Sequence, residues 1–141
     1  MERFNFKNLK SKETEMNKRE EIIRNYISGY NNFDIPRMLA DFADDIQFEN
    51  IQNNVTTDTL EGKDAFREQA EMAMEYFSDR KQTITSIQHF SDYSEIEIDY
   101  EATLAVDFPG SVKRGDKINL KGKSIFTFTE DNKIQKLLDI S

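Results

Sequence analysis

The chain of 141 residues contains no cysteine and a single histidine, His89. The first absence excludes a disulfide framework, a thiolate metal site and a cysteine nucleophile. The second excludes a multi-histidine zinc or iron centre, so neither metal nor cofactor is expected. No apolar run approaches the ~18 residues of a membrane-crossing helix. The opening stretch MERFNFKNLKSKETE also lacks the apolar segment of a secretory signal. No membrane partner is therefore expected, and a cytoplasmic location follows by default. Basic residues are scattered, and the formal net charge is −8. Nucleic-acid binding needs a basic face, so that partner is not expected either, and the acidic balance reads as solubility.

Eleven phenylalanines and five tyrosines supply large core side chains. The length fits one domain, and a chain of this size buries roughly two-thirds of its unfolded surface without covalent staples. Residues Met1–Glu15 are polar apart from Phe4, Phe6 and Leu9, and read as a loosely held arm ahead of a domain spanning 16–141. From Met16 the pattern is helical, with Ile22, Ile23, Tyr26, Ile27 and Tyr30 on one stripe as far as Asn31-Asn32. Asp34 can cap a short second helix that tolerates Pro36 in its first turn and buries Met38, Leu39 and Phe42. A strand from Ile46 to Asn50 precedes a patternless polar loop, QNNVTTDT. A third helix then runs from about Gly62 to Phe77, with Phe66, Ala70 and Ala73 on one face.

Beyond it the period changes to two. Ile96, Ile98, Tyr100, Ala102, Leu104 and Val106 alternate with Glu95, Glu97, Asp99 and Glu101, the pattern of a strand with one buried face. Ile118, Leu120, Gly122, Ser124, Phe126 and Phe128 share the buried face of the next strand, after a loop carrying Pro109, Gly110 and Gly115. Folding about that loop predicts Glu101 near Lys121 and Asp99 near Lys123, pairs worth a few tenths of a kcal/mol each, roughly. The acidic run thus reads as a solvated face answered by lysines rather than a cation site. A last strand covers Lys133–Ser141. Helices segregated to one side of an antiparallel sheet define the α+β class.

Three segments carry a resemblance. The run from Tyr26 to Asp45, ending Phe-Ala-Asp-Asp, resembles the opening of the nuclear transport factor 2-like superfamily, in its SnoaL-like and ketosteroid-isomerase-like branch. Leu60-Glu-Gly-Lys-Asp-Ala-Phe66 looks like that family's entry into its third helix, and Phe126–Ile134 is similar to its final hairpin. The resemblance implies a curved antiparallel sheet forming a cone-shaped half-barrel, closed by three helices from the N-terminal half. It also implies a homodimer paired through the outer sheet face, where Ile87, Ile125 and Leu137 would interrupt the charge. Tyr100, Ser124 and Gly122 among large apolar residues suit a cavity that orients a small, mostly apolar molecule. Its expected lining is Tyr26, Tyr30, Phe48, Asn50 and Tyr100, with Leu104, Ser124 and Phe126.

Chemistry is tested position by position. Ketosteroid-type isomerisation needs a carboxylate base and an oxyanion hole of a tyrosine and a neutral acid. The resemblance puts Tyr26 at the oxyanion tyrosine, Asn50 at the base and Ser124 near the second acid, so only Tyr26 retains the required group. A two-histidine dehydratase cannot be built from His89 alone. An epoxide hydrolase of the Asp-Arg-Asp kind wants an arginine on the inner sheet, and no strand after Arg80 carries one. Asp139 and Tyr26 remain the candidate catalytic residues. Asp139 reads more readily as a solvated, end-of-strand carboxylate, and His89 as a surface histidine beside Glu95. Three functions stay open: a binding protein for a small apolar molecule, an enzyme of proton transfer or hydration with Tyr26 as polarising donor, and a dimerisation domain with an incidental cavity. An ionisable group of shifted pKa inside the cavity separates the first two.

Overall fold

The computed structural model describes the backbone of residues 6–141 and the side chains of residues 11–141. Phe4 lies outside the described residues, as do the side chains of Phe6 and Leu9. Helix α1 spans Phe6–Asn31 and so begins before the expected start at Met16, although residues 11–18 are exposed on every side. The apolar stripe follows at once: Ile22, Ile23, Tyr26 and Ile27 are all buried. Asp34 caps α2 (Ile35–Leu39) by accepting a hydrogen bond from the Arg37 amide at 3.2 Å. The α1–α2 corner is tight, because a Cβ on Gly29 would lie 2.8 Å from the Met38 amide nitrogen.

Strand β1 (Phe42–Gln52) begins earlier than expected and is followed by β2 (Val55–Glu61), where a patternless loop is read from the sequence. Asn53 and Asn54 both adopt positive φ, at 50° and 65°, the geometry of a two-residue hairpin turn. The β2 residues are almost all exposed, so their sequence carries no alternation. Helix α3 (Lys63–Met74) stops short of Phe77, which instead opens β3 (Phe77–His89). Strands β4 (Tyr93–Leu104), β5 (Lys117–Phe128) and β6 (Ile134–Ile140) complete the chain.

The six strands form one curved sheet in the order β2-β1-β6-β5-β4-β3, open rather than closed into a barrel. Every neighbouring pair is antiparallel except β1 and β6, which run parallel. The helices cover the inner face, and the core lies between them, centred on Ile23, Phe42, Ile46, Ile96, Phe126, Ile134 and Leu137. The α+β half-barrel expected from the resemblance is thus the observed architecture.

The faces of β4 and β5 follow the alternation, and acidic residues do stand opposite lysines, but two residues away from the expected register. Asp99 stands opposite Lys121 and Glu97 opposite Lys123, while Glu101 faces Asn119. Lys123 reaches diagonally to Glu95 at 2.9 Å. Two further facings differ from expectation. A bulge between Ile84 and Ser86 brings Ile87 opposite Ile96 on the inner face, and Leu137 is fully buried. On β6 it is Leu138 that shares the outer face with Ile125.

Candidate functional site

A half-open pocket of ≈160 Å³ lies on the inner face of the sheet. Two rows of side chains build it. In the first, Asn50 of β1, Asp139 of β6 and Ser124 of β5 are directly opposite one another across three adjacent strands. In the second, Gln82 of β3 stands opposite Tyr100 of β4, which stands opposite Leu120 of β5. Gly122 and Ile98 separate the rows, and Tyr30 leans in from α1. A glycine leaves volume on a face where its neighbours would otherwise fill the space.

Asp139 is the decisive side chain. The sequence favours a solvated carboxylate, yet it faces inward with Leu137, because both lie in phase on β6 and Leu137 packs in the core. Ser124 Oγ donates to its Oδ1 at 2.7 Å. Burial disfavours the charged form and the Ser124 hydrogen bond opposes this, leaving a pKa of about 6. A carboxyl that ionises near neutral pH can both take and return a proton.

Tyr30 and Tyr100 form the second polar feature, their hydroxyls 2.8 Å apart. Burial raises both pKa values, so both remain protonated, and the Tyr30 hydrogen bond pulls Tyr100 back down. Either hydroxyl can donate to the other; with Tyr30 as the donor, the Tyr100 proton is free for an occupant of the pocket.

Four of the expected lining residues, Tyr26, Phe48, Leu104 and Phe126, are elsewhere. Tyr26 is core: it is 5% exposed, stacked on Phe42 at 5.7 Å and edge-on to Phe126 at 5.9 Å. It sits one helical turn from Tyr30, which takes the place in the pocket expected of it. Burial, and then the Asp139 charge, raise its pKa. Phe48 packs edge-on against Phe66, Phe126 is fully buried, and Leu104 is buried in the core. Asn50 does line the pocket and donates its amide to Thr57 Oγ1 at 2.9 Å.

Two groups escaped the sequence reading. Arg80 and Gln82 are both buried on β3, because the strand starts at Phe77 and presents them inward. Their signal was alternation in phase with Ile84, hidden when α3 is extended to Phe77. The arginine sought on the inner sheet is therefore present. The Asp-Arg-Asp arrangement is not, since among the described residues no carboxylate pairs with Arg80. His89 is also re-placed. It pairs with Ser94 rather than sharing a face with Glu95, and its Nδ1 lies 2.7 Å from the buried Ser94 hydroxyl. Burial and then the nearby Arg19 hold its pKa below the ordinary value. Among the described residues, no group of side chains is arranged to hold a metal ion.

Residues 23–137 match the family described as SnoaL-like domain. The chain belongs to that family, within the nuclear transport factor 2-like superfamily. The same fold occurs in a candidate polyketide cyclase of Xanthomonas campestris pv. campestris, at 15% identity and TM-score 0.76, covering 89% of this chain and 90% of that one. IdmH of Streptomyces antibioticus, also described as a candidate polyketide cyclase, superimposes at 13% identity and TM-score 0.71, covering 86% and 90%. A nuclear transport factor 2-like protein of unknown function from Exiguobacterium sp. 255-15 gives 18% identity and TM-score 0.66, covering 84% and 95%. No curated protein matches the chain in sequence. At these identities the likeness is one of fold, and the chemistry of this SnoaL-like domain rests on its own pocket. No helix among its described residues is long and apolar enough to cross a membrane.

Proposed function

We propose that this SnoaL-like domain catalyses proton transfer at a carbon acid, with Asp139 as the proton carrier. The observation that carries this reading is a carboxyl that lines the pocket and accepts a hydrogen bond from Ser124, where burial pushes its pKa up to about 6. A pocket that only binds a small apolar molecule has no need of such a group, whereas a general base works best near the operating pH. In the proposed step the Asp139 carboxylate removes a proton from a carbon beside a carbonyl. The electron pair moves onto the carbonyl oxygen, and the Tyr100 hydroxyl, backed by Tyr30, donates to the oxyanion. Asp139 then returns the proton to carbon or oxygen. The names of the two cyclase neighbours are in keeping with enolate chemistry of this kind. The pocket volume of ≈160 Å³ suits the reacting end of a substrate, with the remainder in its open side.

The test is hydrogen–deuterium exchange at carbon, followed by NMR in D2O with ethyl acetoacetate, 2-tetralone and cyclohex-2-enone. Wild type should exchange above the buffer rate, and Asp139→Asn should lower this by ~10²–10⁴-fold. Exchange no faster than buffer, or unaffected by the substitution, would remove the reading in favour of a non-catalytic pocket. We also propose a homodimer paired through the outer sheet face, where Ile125, Leu138 and Ile140 are only half-buried. Sedimentation equilibrium giving a monomer at micromolar concentration would refute it.

A further inference from the structure

Arg80 is 5% exposed, and its charge has no carboxylate partner among the described residues. Its Nε donates to the Tyr30 carbonyl at 3.0 Å, while its Nη2 is buried without any hydrogen-bond partner. The guanidinium lies between two rings, 3.8 Å from the centre of Tyr30 and 4.5 Å from that of Phe33. Phe33 holds a positive φ of 55°, a conformation rare for a bulky residue. Directly across the sheet stands Ala102, whose small side chain leaves room for the guanidinium. A buried cation ordinarily has an anion beside it. Toward the pocket, the Tyr30 ring on which the guanidinium stacks carries the hydroxyl that meets Tyr100.

We propose that Arg80 makes the Tyr30–Tyr100 end of the pocket an anion site, so that the group held there is an oxyanion such as an enolate or phenolate. Arg80 acts through Tyr30, on whose ring it stacks, and is a positioning and specificity residue rather than one that contacts the occupant. The proton affinities of the neighbours agree in direction, since Arg80 lowers those of Tyr26, Tyr30 and Tyr100. The other titratable group facing this space is Asp139 from β6, whereas Lys123 of β5 borders the pocket but turns its ammonium to Glu95 on the outer face. Arg80 on β3 and Asp139 on β6 are separated in the sheet by β4 and β5. The inference rests on the reading of this pocket as the reacting site but not on Asp139 moving a proton.

The test compares binding of pentafluorophenol, ionised at neutral pH, with that of neutral pentafluoroaniline of similar shape, followed by fluorine NMR on the full chain. Wild type should prefer the phenolate by ~10–100-fold, the range expected for one unpaired charge at partly buried distances. Arg80→Met should remove that preference while leaving the aniline affinity within a few-fold, roughly. Equal loss for both probes would assign Arg80 a packing role alone and overturn the proposal, as would equal binding, or no binding, by wild type. A second measurement needs no variant: 4-fluorophenol bound to wild type should ionise at lower pH than in free solution. Ionisation at the same or higher pH would overturn the proposal even if Arg80→Met does not fold. Phenolate preference without carbon exchange would sink the acid–base reading alone, and exchange without phenolate preference would sink this one alone.

Discussion

Replacing Asp139 by asparagine should stabilise the protein, and only at the pH where the proposed base is charged. The ordinary value for this carboxyl is 3.8, and burial raises it to about 6 in the folded chain. Below pH ~4 both folded and unfolded chains hold the proton, and the group adds nothing. As pH rises through 3.8 the unfolded chain releases its proton first, and stability falls until the folded chain releases its own near 6. At about 1.36 kcal/mol per pH unit, the gap between 3.8 and 6 amounts to ~3 kcal/mol of lost stability at pH 7.5. Asparagine has no such titration, and its carbonyl can still accept the Ser124 hydroxyl. Urea denaturation of both proteins at pH 4, 5, 6 and 7.5 should show the variant gaining on wild type by ~3 kcal/mol across that range. With roughly 2.1 cal/mol/K of unfolding entropy per residue, this is a thermal shift of ~10 °C. Parallel curves from pH 4 to 7.5 would refute the argument, because they would mean that Asp139 is not desolvated.

Ser124→Ala removes the hydrogen bond that holds the Asp139 pKa down. The carboxyl should then titrate about one pH unit higher, read as the midpoint of the carbon-exchange rate or by carboxyl-carbon NMR. A midpoint that is unchanged or lower would contradict the assigned geometry. Gly29→Ala places a Cβ 2.8 Å from the Met38 amide nitrogen and 3.1 Å from the Asp34 carbonyl oxygen. The corner between α1 and α2 must open, which should cost ~1–3 kcal/mol in urea denaturation. An unaltered midpoint would show that this corner is looser than its contacts indicate.

The alternation of residues 94–106 and 118–128 settles which faces are buried, because side chains on a strand have a period of two and a mixed face would bury charge. The stripe from Ile22 to Tyr30 likewise fixes the buried side of α1, and the cap at Asp34 fixes the start of α2. The lack of cysteine and the lone histidine dispose of the thiolate and multi-histidine centres. These are local properties, and a sequence carries them directly. The pocket is not local. Asp139 joins Asn50 only because β1 and β6 run parallel as neighbours, a pairing between distant segments that no local pattern records. Its inward facing depends on β6 register, and a slip of one residue would turn it outward. Position along a helix matters in the same way, since Tyr26 and Tyr30 share a stripe, yet one turn of rise puts the first in the core and the second in the pocket. Arg80 entered the interior when α3 ended at Met74 rather than Phe77. The choice lies with tertiary packing, which decides where a helix stops once its apolar face has been covered.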